Sequence, residues 1–168
     1  SMVFGESFSA RLGRVLRIEK GLTYGVRGYY DVENDTASFR INTFTRTDKT
    51  AEAIEAALAE MNKLFTADVS TEELALARDQ LIGGFQVGLE TPSQVASRWW
   101  DLKVWGLPDG WYDGYQAAII GVNDPAAVRQ AAARTIDPHK LTIVVVGNGD
   151  GVRQDLSRFG PVESAPAP

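Results

Sequence analysis

Apolar residues first recur at helical spacing. Phe8, Leu12, Val15 and Leu16 share one face, which predicts a helix over 8–18. Gly21 is placed to stop it, because glycine takes the left-handed backbone that closes a helix. The period then changes to two. Residues 23–33 and 37–45 are predicted as strands, joined at Asn34-Asp35 into a hairpin. In the second strand Ala37, Phe39, Ile41 and Thr43 alternate with Ser38, Arg40 and Asn42.

From 49 to 65 the helical period returns, with Ile54, Leu58, Met61 and Phe65 on one face. Ser70-Thr71-Glu72-Glu73 has the form of a capping box and predicts a long helix to about Leu89. Glu90-Thr91-Pro92-Ser93 restarts a helix carrying Trp99, Trp100 and Trp105. Residues 111–120 and 125–135 are further helices, the second opened by Asp124-Pro125. The run Leu141 to Val146 predicts a buried strand, and 152–159 a last short helix. Strands therefore bracket a helical middle. That is an α+β pattern: an antiparallel sheet with helices layered on one face.

Composition narrows the function classes. The 168 residues suit one domain with a sizeable core. A net charge of -5 with no dense Lys/Arg run argues against nucleic acid as a partner and gives no support to membrane-surface binding. The absence of cysteine removes disulfides, thiol nucleophiles and thiolate metal sites. Ser1-Met2 reads as the remnant of a cleaved tag, and no signal-peptide pattern is visible.

The chemistry available is limited. One histidine, His139, stands in Asp137-Pro138-His139-Lys140 and reads as an exposed turn residue. Neither H-E-x-x-H nor H-x-x-E-H occurs, so no catalytic zinc site is expected. No G-x-S-x-G elbow accompanies the lone histidine. Val146 to Gly151 is glycine-rich but lacks the phosphate-loop Lys and reads as a turn. Glu72-Glu73 suits the first turn of a helix by dipole logic. The tryptophans read as core or interface residues.

One corner stands apart: Leu16 to Gly25, LRIEKGLTYG. Arg17 and Tyr24 lie seven residues apart where a helix ends and a strand begins. A cation is favoured in the last turn of a helix, and an aromatic is common at a strand start, so each has an architectural reading. Each also offers a good hydrogen-bond donor.

The order of the pieces resembles a known family. Phe8-Ser9-Ala10-Arg11-Leu12, Leu16-Arg17 and Lys20-Gly21-Leu22-Thr23-Tyr24-Gly25 are similar to the C-terminal half-domain of the pitrilysin/insulinase zinc metallopeptidases. That family includes mitochondrial processing peptidase and the core subunits of the respiratory cytochrome bc1 complex. Thr71-Glu72-Glu73-Leu74 with Ala77-Arg78, then Leu89-Glu90-Thr91, then Val122-Asn123-Asp124 with Val128 and Ala131-Ala132, continue the match in order. Pro138 followed by Leu141 to Gly147 resembles the family's closing strand.

The resemblance implies a processing-peptidase-like metallohydrolase fold lacking its opening strand and helix. It implies a half-domain over 3–163, with 164–168 a tail or linker. Such a half holds no cofactor; zinc is expected on a homologous partner half, in the same polypeptide or on another chain. It implies that Arg17 and Tyr24 reach that partner's zinc site and contact the peptide substrate, as part of the chamber wall. The fragment alone is expected to be inactive, and the truncation is expected to leave an edge or groove that promotes self-association. The ending Phe159-Gly160-Pro161-Val162-Glu163 resembles that of large exported bacterial members, which implies a periplasmic location, the cytoplasm being the alternative. The rival function within the same fold is a scaffold domain with no proteolytic role.

Overall fold

The computed structural model describes residues 1–33 and 36–164. The expected Asn34-Asp35 turn and most of the expected tail lie outside the described residues. The chain forms two compact units: Ser1–Ala67 with Ala131–Pro168, and Asp68–Gln130.

The first unit holds the sheet and the larger apolar core. β1 (Val26–Glu33) and β2 (Thr36–Thr43) pair antiparallel through eight positions, from Val26 opposite Thr43 to Glu33 opposite Thr36. The alternation expected in β2 is present, with Phe39, Ile41 and Thr43 turned inward. Against this hairpin pack π-helical turns at Met2–Glu6 and Gly13–Glu19 and the helix α1 (Thr50–Thr66). Phe4, Leu12 and Leu16 are fully buried at the centre, with Met61 and Leu64 of α1 beside them. Each such side chain contributes about 1.5–3 kcal/mol by leaving water.

Two glycines permit the closest approach in this unit. A Cβ on Gly5 would stand 2.5 Å from the Gly28 nitrogen, and one on Gly28 would stand 2.9 Å from the Phe4 ring. The backbone of the first turn therefore lies directly on β1, which any side chain at Gly5 would prevent.

The first helix departs from expectation. It starts after Phe8, and from Gly13 it widens into π-helical turns, with the Lys20 N–H bonded to the Val15 carbonyl. Phe8 is not on its buried face, as the spacing predicts; it precedes the helix and is exposed. The helix stops as expected at Gly21, with φ at +60°, and the Leu22 N–H closes back on the Leu16 carbonyl at 2.8 Å.

The second unit is helical. α2 (Thr71–Val87) begins with the expected capping box: Ser70 Oγ accepts from the Glu73 N–H, and the Glu73 carboxylate accepts from the Ser70 N–H. α3 (Pro92–Val104) begins with a second one, built by Thr91 and Gln94. α4 (Tyr115–Gly121) follows, and α5 (Ala126–Thr135) spans the boundary between the units in sequence. Phe85 meets the rings of Tyr112 and Tyr115, and Leu74, Ala77 and Leu102 are buried. The tryptophans, expected as core or interface residues, are not in the core: Trp99, Trp100, Trp105 and Trp111 are all about half exposed or more, and the buried residue of α3 is Leu102. The last helical pieces are α6 (Arg153–Leu156) and a 3-10 turn at Ser157–Phe159, tied to α1 by Arg158 and Glu55.

The largest correction concerns Leu141 to Val146. The expected buried strand is extended but pairs with nothing: among the described residues no backbone hydrogen bond involves it. Val144 and Val146 are almost wholly exposed. A β-branched run becomes a strand only when a neighbouring edge accepts its hydrogen bonds, and among the described residues no edge does so here. The fold is thus α+β with a two-stranded antiparallel sheet.

Candidate functional site

The corner between the first helix and β1 is built from several segments. Gly21 reverses the chain, and Leu22 and Thr23 are buried behind it. Threonine hydroxyls then fix the next residues. The Gly25 N–H donates to Thr23 Oγ1 at 3.0 Å, and Thr23 Oγ1 lies 2.8 Å from the Gly25 carbonyl. From β2, the Thr43 hydroxyl shares its proton between the Gly25 carbonyl at 3.0 Å and Thr23 Oγ1 at 3.2 Å. Thr45 Oγ1 donates to the Leu22 carbonyl at 2.6 Å. Residues 22–25 are held on both sides, so the backbone carrying Tyr24 is a fixed platform. Tyr24 itself is 86% exposed.

Arg17 is placed differently. Its guanidinium lies 3.6 Å above the Phe8 ring and reaches the Phe8 carbonyl at 3.5 Å. Exposed Phe8 thus serves as a flat rest for the cation, an arrangement that contributes about 0.5–1 kcal/mol at such sites. Among the described residues Arg17 and Tyr24 make no contact with each other. Both donors nevertheless belong to one short corner, one resting on an aromatic and one free in water.

Sequence reasoning singles out Arg17 and Tyr24 and misses Phe8, Thr43 and Thr45 as their supports. By sequence Thr43 is only a member of an inward face. That inward position is the signal: a hydroxyl on the core side of a strand end must find a partner, and the nearest free carbonyls are those of the adjoining corner.

No other cluster competes for a metal. Among the described residues no group of three or more His, Cys, Asp or Glu could hold one. Glu60 is buried with one carboxylate oxygen lacking a partner among the described residues, but its other oxygen is taken by Lys63 and no second ligand joins it. His139 is exposed in a turn closed by the Asp137 carboxylate on its N–H.

Both the sequence and the fold have recognisable relatives. Residues 1–81 match the family model described as the peptidase M16 inactive domain. A peptidase M16 inactive domain from Pseudomonas fluorescens has a similar fold, with a TM-score of 0.75 and 18% identity over 83% of this chain and 33% of its own. A protease from Helicobacter pylori is similar at a TM-score of 0.69 and 20% identity, over 80% of this chain and 32% of its own. The chain spans about a third of the length of either structure. No curated protein matches it.

Proposed function

We propose that this chain, whose residues 1–81 match the peptidase M16 inactive-domain model, serves as the non-catalytic half of a zinc peptidase, walling part of the substrate chamber. In this reading Arg17 and Tyr24 face the zinc site of a homologous half. The observation that carries it is Tyr24: an aromatic donor left in open water on a backbone that three threonine hydroxyls hold still. A tyrosine that served only to start a strand would gain by packing its ring.

The chemistry follows from the charge that peptide hydrolysis creates. Negative charge builds on the scissile carbonyl oxygen, and fixed donors aimed at that oxygen stabilise the transition state. Zinc on the other half supplies the Lewis acid. This chain, with a single histidine and no cysteine, supplies donors. The Tyr24 hydroxyl is presented by a rigid backbone and needs no rearrangement. The Arg17 guanidinium leaves Phe8 and turns toward the substrate, a modest cost given the exposed contact it gives up.

The scaffold reading has its own support in that contact. Arg17 already has partners in Phe8, as a surface cation would. The test is a pair of variants in the chain combined with its zinc-bearing half. Tyr24→Phe and Arg17→Ala are each expected to lower kcat by roughly 10²–10³, the size of losing one oxyanion donor, with a smaller change in KM. Cleavage at the parent rate by both variants makes the corner architectural and favours the scaffold.

A further inference from the structure

The exposed ring of Phe8 carries an inference that rests on the reading of Arg17 given above and adds a residue to it. Phe8 is 77% exposed. It precedes the helix and stands outside the buried cluster of its unit, so the core gives no reason for an aromatic here. Its backbone is nevertheless held close against the helix: a Cβ on Gly13 would stand 3.0 Å from the Phe8 carbonyl oxygen. Arg17 reaches back over the same place. Its guanidinium lies 3.6 Å from the ring centroid, and one of its nitrogens donates to that carbonyl at 3.5 Å.

Arg17 has no carboxylate partner among the described residues. Glu19 ends the same π-helical segment, yet its carboxylate pairs with Arg14 at 2.6 Å. The difference matters to a cation that has to move. A carboxylate neutralises a guanidinium and occupies two of its N–H donors. An aromatic ring attracts the same cation through its quadrupole and leaves the charge uncompensated. The Phe8 carbonyl takes one donor, at the long end of hydrogen-bond distances. Arg17 is thereby kept in one place, charged, with most of its donors unused. The segment that carries it is also wider than an α-helix, and such π-helical turns recur at functional sites.

We infer that Phe8 is a positioning residue: its ring holds Arg17 at rest on the corner, and the strength of that hold sets how readily the guanidinium turns to the substrate. The sign of the effect follows. Arg17 leaves the ring to make its working contact, so the ring contact belongs to the resting state alone. A weaker hold lowers the barrier to the transition state, and a stronger one raises it. At an exposed site a cation over a ring is worth about two- to fivefold in rate. KM changes little, because Arg17 rests on the ring with and without bound peptide until the carbonyl oxygen becomes charged.

The test has two parts. Proton NMR of the purified chain reads the contact itself and assumes nothing about proteolysis. The Arg17 δ-methylene and Nε–H protons are expected at high field in the parent, displaced by the ring current, and at ordinary positions in Phe8→Leu. Unshifted Arg17 protons in the parent overturn the inference. Because Phe8 is exposed, the leucine variant is expected to unfold in urea with the parent. The second part follows cleavage of a fluorescence-quenched peptide by the chain combined with its zinc-bearing half. Phe8→Leu is expected to raise kcat about two- to fivefold, and Phe8→Trp, whose face holds a cation best, to lower it. Both effects are expected to vanish in an Arg17→Ala background. A flat Phe8 series beside a slow Arg17→Ala variant overturns this inference alone. So do Phe8 effects of equal size in both backgrounds, which would come from the fold and not from Arg17. Cleavage by Arg17→Ala at the parent rate overturns the functional reading of Arg17, and this inference with it.

Discussion

The hairpin and the run Leu141 to Val146 make an instructive pair. By composition the run is the better strand: six residues of leucine, threonine, isoleucine and valine. β1 is poorer material, with a glycine and two acids among its eight residues. Yet β1 is paired along its whole length, and among the described residues the run is paired with nothing. The difference lies in what each can reach. β1 has a partner two residues away in sequence, so closing the pair costs little chain entropy. The run lies almost a hundred residues beyond β2, and among the described residues no strand edge pairs with it. Side chains suited to a pleated surface do not make a strand; an edge within hydrogen-bonding distance does.

That contrast can be broken most strongly by equal deletions in the two regions. Leu16→Ala removes a fully buried side chain from the core behind the hairpin and is expected to cost about 3–4 kcal/mol in urea denaturation. Val144→Ala removes an exposed one and is expected to change monomer stability by less than about 0.5 kcal/mol. Similar losses at the two sites would mean that the run is packed in solution. A smaller effect sharpens the picture of the corner. Thr23→Val keeps the shape of the side chain and removes its hydroxyl, leaving part-buried groups of Gly25 and Thr43 without that partner. A loss of about 1–2 kcal/mol is expected, together with faster amide exchange at Gly25. Unchanged exchange there would show that β2 alone holds the platform.

The smallest effect lies outside both regions. Hydrogen bonding to its own backbone N–H and to Ser70 at the start of α2 holds the Glu72 carboxyl below its ordinary value of 4.5. A carboxyl depressed on folding contributes stability above its unfolded pKa and loses it as pH falls through the folded one. Acid titration should therefore show a shallow loss of stability below pH 4.5 that Glu72→Gln flattens. A titration slope that is identical in the variant would remove Glu72 from the account.

What the sequence makes legible is what depends on near neighbours. The Ser70 box, the alternation of β2 and the stop at Gly21 each rest on residues within a few positions of one another, and each is present. Phe8 is misplaced by sequence because helical spacing alone does not say where a helix begins. Of the two places expected for the tryptophans, the core is excluded, because apolar bulk implies a buried place only when something lies against it. At the corner, Arg17 and Tyr24 stand out by chemistry, while the hydroxyls of Thr43 and Thr45 do not. Their partners lie some twenty residues earlier in the chain, and no local pattern connects them.

The division of the chain into Ser1–Ala67 with Ala131–Pro168, and Asp68–Gln130, has a consequence for synthesis on the ribosome. The helical unit is continuous and can settle as soon as it emerges. The sheet-bearing unit is not: Ala132 belongs to the same buried cluster as Phe4 and Leu16. The segment made first must therefore wait with its apolar face uncovered. An intervening unit of 63 residues, Asp68–Gln130, and then Ala132 itself must be made before that face can close. During vectorial synthesis the N-terminal hairpin is the part of this protein most in need of a chaperone, although it is the part with the best-paired strands.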